Sequence, residues 1–132
     1  MSTWAVTTAN DKLEFDTVEN AFNSCYQIDS NHFINFRAWD SWFDWYVQVF
    51  TVNTTTWAVT TANSSLEFDT TNGTYNSCYQ IDSNHFINFF RWALTNWYVQ
   101  TFEVNTTTWA VTTVSTQLQY EAVDVYMNSC YQ

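Results

Sequence analysis

The chain has 132 residues and a mass of 15.6 kDa, and its 13 acidic residues against three basic ones give a formal net charge of −10. This length predicts one domain or one piece of a larger assembly. The scarcity of Lys and Arg argues against nucleic-acid binding, because phosphate contacts need clustered cations. With 46% apolar and 20% aromatic residues, the chain is predicted to fold.

Membrane and export signals are not recognised in this sequence. No apolar run approaches the roughly 18 residues of a membrane helix. The first residues, MSTW, lack the basic and apolar regions of a signal peptide. We therefore expect no membrane partner. The localisation stays unassigned, and the pattern is consistent with cytoplasmic expression.

The sequence repeats itself almost without change. Residues 3–10 (TWAVTTAN) return at 56–63, and residues 23–36 (NSCYQIDSNHFINF) return at 76–89. Copies this similar indicate either recent duplication or deliberate construction. Because idealised repeats are unusually designable, we favour an engineered or idealised origin.

The spacing of these copies predicts the domain organisation. Residues 3–55 form the first repeat unit and residues 56–107 the second. A half unit, 108–132, begins with the third TWAVTT and closes the chain with NSCYQ.

Each unit is predicted to contain four short strands and no helix. Thr, Val, Tyr, Phe and Trp dominate these segments, and such residues favour a half-buried pleated surface. Asp82–Asn84 supplies a turn, and 66–69 either extends the fourth strand or crosses to the next unit. The strands predicted in the second copy are 77–81, 85–89, 98–104 and 109–113.

Strand order and spacing in LEFDTTNGTYNSCYQIDSNHFINF (66–89) followed by YVQTFEVNTT (98–107) resemble the repeats of kelch-like and lectin-like β-propellers. The double glycine of kelch repeats is absent. The resemblance implies an all-β fold of four-stranded antiparallel propeller blades. A stacked β-solenoid is the alternative.

Two and a half units are too few for a propeller, whose rings hold about four to eight blades. A lone fragment would leave strand edges open to other chains. We therefore expect the ring to be completed by homo-oligomerisation, with cyclic or dihedral symmetry. Residues 3–27 and 108–132 would compete for one position in it.

The first place where the copies differ is predicted to lie at a subunit contact. Residues 70–74 (TTNGT) are replaced by 17–21 in the first copy and by 122–127 in the last. Gain of Val, Tyr and Met suggests burial, whereas simple drift of a surface loop is the alternative. The predicted contact residues are Val18, Ala21, Phe22, Val123, Val125, Tyr126 and Met127.

The second variable place, 37–45 and 90–97, is predicted to form aromatic loops that bind a ligand or another subunit. Exposed aromatic clusters commonly mark interaction surfaces. The alternative is that these segments fold back as a second core. The Trp residues concerned are Trp39, Trp42, Trp45, Trp92 and Trp97.

No catalytic constellation stands out, so we expect no enzyme activity, no cofactor and no metal. Cys25, Cys78 and Cys130 repeat at one position and are predicted to be small buried side chains. His32 and His85 are assigned to turns or strand starts.

Paired carboxylates such as Glu67 and Asp69, two residues apart, are assigned a structural role rather than glycosidase chemistry. The predicted function is structural self-assembly. The alternative is a multivalent lectin-type module that binds carbohydrate through Trp and Asp loops.

Overall fold

The computed structural model describes residues 20–39, 44–70, 73–92 and 96–121, and over these ranges the protein is all-β, as predicted. No helix in the described part is long and apolar enough to cross a membrane. The ten strands are β1 (Asn20–Gln27), β2 (His32–Trp39), β3 (Asp44–Val52), β4 (Val59–Thr61), β5 (Leu66–Asp69), β6 (Gly73–Gln80), β7 (His85–Trp92), β8 (Asn96–Val104), β9 (Val111–Thr113) and β10 (Leu118–Glu121).

The strands form two antiparallel sheets of five strands each. In the first sheet the order is β1-β2-β3-β4, with β5 also paired to β3; in the second it is β10-β8-β7-β6, with β9 also paired to β8. Corresponding strands have equal lengths. Neither sheet closes on itself, so the described part of one chain contains no ring.

The fourth position of each sheet holds two short strands where the sequence predicted one. β4 pairs with the end of β3 and β5 with its beginning, and residues 62–65 lie between them. There the Gln48 side chain donates to the Asn63 carbonyl at 2.8 Å, and Gln100 donates to Ser115 at 2.8 Å in the second sheet. Residues 66–69 therefore continue the same sheet after a break.

The aromatic segments expected as loops are mostly strand ends. β2 and β3 stay paired out to Trp39 and Asp44, and β7 and β8 out to Trp92 and Asn96. Aromatic side chains favour extended backbone. The two hairpins are therefore longer than predicted, because these segments had been assigned to loops. Likewise Asn20 and Ala21, which belong to the first variable place at 17–21, lie in β1.

The core lies between the two sheets, which pack face to face. A larger cluster includes Ile34 and Phe36 of the first sheet and Phe86 and Phe102 of the second, all fully buried. A smaller cluster contains Ala38, Trp45 and Phe90. The Phe68 ring joins the two, because its centroid lies 4.9 Å from that of Phe102 and 5.4 Å from that of Phe90. Both sheets thus depend on one shared core.

Candidate functional site

The contact between the sheets, which we call the junction, joins two different faces. Side chains alternate along a strand, so each sheet offers one face to its neighbour. Ile34 of the first sheet lies in the junction, but its repeat counterpart Ile87 lies on the far side of the second sheet. Phe86 of the second sheet lies in the junction, and its counterpart is Phe33. The two sheets therefore present opposite faces of the repeat to the junction. Central side chains on the far face of the first sheet are also buried within the chain: Asn35, Arg37, Gln48 and Phe50.

Polar contacts set the register of β1 against β6 in the junction. The Asn76 amide donates to the carbonyl oxygens of Phe22 and, at 3.3 Å, Phe36. The Cys78 N–H donates to Ser24 Oγ at 3.0 Å. Because these bonds have defined geometry, they position the two sheets more exactingly than apolar packing alone would.

One aromatic stack closes the edge of the junction at the start of β2. The His32 and Trp109 rings are stacked, with centroids 3.5 Å apart and planes at 17°. Trp109 follows a turn in which Asn105 Oδ1 accepts the N–H groups of Thr107 at 2.9 Å and Thr108 at 3.0 Å. The turn places Trp109 at φ 60°. A non-glycine residue pays about 1–2 kcal/mol for this conformation, so the ring contact offsets a backbone cost.

Trp57 has the same backbone as Trp109 but a different environment. Asn53 Oδ1 accepts the N–H groups of Thr55 and Thr56, each at 2.9 Å, and Trp57 has φ 62°. Yet Trp57 is 57% exposed. The first sheet thus repeats the strained turn without burying the indole.

Four side chains define what we call the outer face of the first sheet. They are exposed, whereas their counterparts 52 or 53 residues later lie at the junction, buried or partly buried. The outer face consists of Asn23, Cys25, Trp57 and Val59, and the counterparts are Asn76, Cys78, Trp109 and Val111.

The outer face of the second sheet shows the same contrast in reverse. Its apolar side chains are between 41% and 63% exposed, although their counterparts in the first sheet pack against the larger core cluster. The exposed set is Ile81, Val114, Leu118 and Tyr120, and the packed counterparts are Ile28, Ala62, Leu66 and Phe68. The molecule therefore leaves part of a second junction surface exposed on each side.

The structure places two of the five predicted Trp residues in the interior. Trp45 is fully buried, with the Phe90 ring centroid at 5.7 Å, and Trp97 is 2% exposed. This position agrees with the alternative of a second core and gives a ligand no access to either indole. Trp39 and Trp92 end β2 and β7. Trp42 lies outside the described residues.

Of the predicted subunit contacts, Phe22 lies in the junction itself. Its ring centroid is 5.3 Å from that of Tyr75 in the second sheet. Ala21 pairs with Ala38 inside the first sheet. The remaining predicted contact residues lie outside the described ranges; they are Val18, Val123, Val125, Tyr126 and Met127.

The predicted His turns are confirmed as strand starts held by an aspartate. Asp82 Oδ1 accepts the N–H groups of Asn84 at 3.0 Å and His85 at 2.9 Å, and lies 2.8 Å from His85 Nδ1. The Asn84 bond first, and the His85 ring next, lower the pKa of Asp82 below its ordinary value. At Asp29 burial acts to raise the pKa, but the bonds from Asn31 and His32 outweigh it, so that this pKa is also lowered.

These two aspartates should make stability depend on acid pH. Because their pKa values are lower in the folded chain, the carboxylates stabilise the fold above about pH 4. That stabilisation is lost as the pH falls through the lowered values. The double variant Asp29→Asn, Asp82→Asn should therefore show a flatter pH dependence of the free energy of unfolding, measured by urea titration from about pH 5 to pH 2. Identical slopes for variant and wild type would contradict this assignment.

The cysteines differ although their local sequences are identical. Cys78 is buried in the junction, whereas Cys25 is exposed on the outer face of the first sheet, and both are free thiols. Burial raises the pKa of the Cys78 thiol, and the nearby Cys25 adds a smaller increase. Although the Cys25 residue is exposed as a whole, partial desolvation of its sulfur raises the pKa of this thiol too. The buried role predicted for the repeat position is thus realised at Cys78. Cys130 lies outside the described residues.

The repeated carboxylates Glu67 and Asp69 have different surroundings. Glu67 is exposed, and Asp69 Oδ2 accepts a hydrogen bond from Gln117 Nε2 at 2.7 Å, which links the two sheets. Within the described ranges, no group of three or more His, Cys, Asp or Glu side chains is arranged to hold a metal ion.

Comparison of the chain with models of known protein families, with curated proteins and with solved structures gives no match. Its function is therefore inferred from its own geometry. Sequence reasoning overlooked Trp57 and Trp109, which repeat in every unit and were assigned to strand starts. The available signal was the Asn-Thr-Thr-Thr before each Trp, because an Asn side chain readily accepts bonds from the following amides.

Proposed function

We propose that this chain is a structural, self-assembling protein of propeller type. Its sheets act as blades, and copies of the chain join to complete a closed ring. The observation that carries this proposal is the apolar outer face of the second sheet, since its counterpart in the first sheet is already covered. Two to four chains would supply four to eight sheets, the range of about four to eight blades found in propellers.

Energetics support association of this face. Soluble monomers rarely expose large contiguous apolar patches, and such patches generally mark contacts. Covering a Leu or Ile side chain fully contributes about 1.5–3 kcal/mol. Ile81 and Leu118, 53% and 63% exposed, therefore represent a substantial driving force for docking. The carbohydrate alternative gains no support from Trp45 or Trp97, whose rings lie in the interior.

The solution mass tests this proposal directly. Light scattering and native mass spectrometry over a range of concentrations should give a discrete multiple of 15.6 kDa. A chain that remains a monomer at every concentration would contradict self-assembly. Titration with saccharides, followed by tryptophan fluorescence, would then examine the lectin-type alternative.

A further inference from the structure

We propose, resting on the self-assembly proposed above, that neighbouring copies join with a fixed polarity. The outer face of the first sheet of one copy docks on the outer face of the second sheet of the next. In this contact Trp57 of one copy stacks on His85 of the other, as Trp109 stacks on His32 within the chain. Each copy therefore uses two different surfaces, which makes the interface heterologous.

The backbone of Trp57 is the first argument. Glycine is the residue that adopts a positive φ without steric cost, yet this turn places Trp there, at φ 62°. At the equivalent Trp109 the side chain explains why this position holds Trp and not Gly, because its ring stacks on His32. An observed strained residue supports an inference about function. The exposed Trp57 then lacks only the second ring, which another copy would supply.

The His85 ring is oriented and accessible for the same contact. Asp82 holds its Nδ1 at 2.8 Å, and Asp29 holds His32 Nδ1 at 2.9 Å, so that both rings are oriented in the same way. The His32 side chain is 12% exposed beneath its Trp partner, whereas that of His85 is 35% exposed. The second sheet thus offers an oriented ring at the place that Trp109 covers on the first.

Polar groups of the two outer faces also match. Asn23 stands at the repeat position of Asn76, whose amide bridges to carbonyl groups of the opposite sheet. Ser77 stands at the position of Ser24, which accepts the Cys78 N–H. Docking with the same register would bring Asn23 and the Cys25 N–H of one copy to their equivalent acceptors on the next copy.

The two junctions differ at the far end of the strands. Within the chain, Ala38 lies in a cluster with Phe90. On the outer faces, Arg91 stands at the repeat position of Ala38 and Arg37 at that of Phe90. Both arginines are already buried within the single chain, at 6% and 3% exposed, so this end of the outer faces is not open to another copy. The contact between copies therefore relies on the end formed by Trp57 and His85, and it is weaker than the internal junction.

A mixing experiment tests the polarity. Trp57→Gly fits the positive φ while removing the ring, and His85→Ala removes its partner. Each variant alone should associate at least tenfold more weakly than wild type. When the two are mixed, the Trp57→Gly chain supplies His85 and the His85→Ala chain supplies Trp57, which restores one wild-type contact. Random pairing at equal concentrations would make half of the dimers mixed. Native mass spectrometry should show a larger mixed fraction than this.

The outcomes separate this inference from the function it rests on. Wild-type chains that never associate would overturn both. If each variant associates as strongly as wild type, the polarity alone is overturned. The same holds if the fraction of mixed dimers stays at the statistical one half. As an internal control, Trp109→Gly should lower the free energy of unfolding, because its ring lies in the junction of the same chain.

Cys25 provides a second readout. If the outer face of the first sheet is covered, alkylation of Cys25 should slow at least tenfold as wild type is concentrated into the assembled state. The His85→Ala variant at the same concentration should keep faster labelling. Equal labelling of Cys25 in monomeric and assembled wild type, read by peptide mass spectrometry, would overturn the proposed docking face.

Discussion

Phe36→Ala is expected to lower the free energy of unfolding by about 3–5 kcal/mol. Phe36 is fully buried, and its ring centroid lies 5.0 Å from that of Phe102 across the junction. Removing the ring loses its transfer free energy and leaves a cavity between two sheets that share one core. Since small domains are stable by about 5–15 kcal/mol, this single change should unfold a large part of the population or shift the urea midpoint strongly.

Phe89→Ala is the matched control, because Phe89 ends the second copy of the same 14-residue run, 76–89. Its ring is only partly buried and lies 5.9 Å from Tyr120 on the outer side of the second sheet. We expect a loss of about 1 kcal/mol, near the average for a point substitution. Urea unfolding of both variants at low protein concentration makes the comparison, and equal losses would contradict the assigned core.

The double variant Ile81→Asn, Leu118→Asn is expected to weaken self-association by about 10²–10⁴-fold. Burial of each side chain in a contact contributes about 1.5–3 kcal/mol, and tenfold corresponds to 1.4 kcal/mol. Both side chains are mostly exposed in the single chain, so its free energy of unfolding should change little. Concentration-dependent light scattering measures the association, and the substitutions leave the net charge unchanged.

The counterpart double variant, Ile28→Asn with Leu66→Asn, should give the opposite result. These residues pack against the core cluster between the sheets of one chain. Their replacement should lower the free energy of unfolding markedly. If the Ile81 and Leu118 variant instead lost stability and kept its association, the outer face of the second sheet would not be the docking surface.

Local features of the fold were predictable from short stretches of sequence. The all-β fold follows from β-branched and aromatic residues and from the absence of helical periodicity. The Asp82–Asn84 turn was predicted because an Asp side chain can accept the amides that follow it, as its bonds confirm. The length of the aromatic hairpins was underestimated, since pairing with a neighbouring strand extended them.

The candidate site was less predictable. Trp45 and Trp97 looked like exposed loop residues, but both lie in the interior. Their sequence neighbours carry no information about which surface covers them. The strained position of Trp57 became recognisable only when its φ and its exposure could be set beside those of Trp109.

By itself, the sequence determined the β secondary structure, the Asx turns and the equal strand lengths of the two sheets. These depend on backbone preferences and hydrogen bonds between residues close in the chain. The tertiary structure alone decided which copy of each repeated residue is buried. Cys25 and Cys78, or Phe36 and Phe89, have the same neighbours in sequence, and burial differs because only one face of each sheet lies against another sheet.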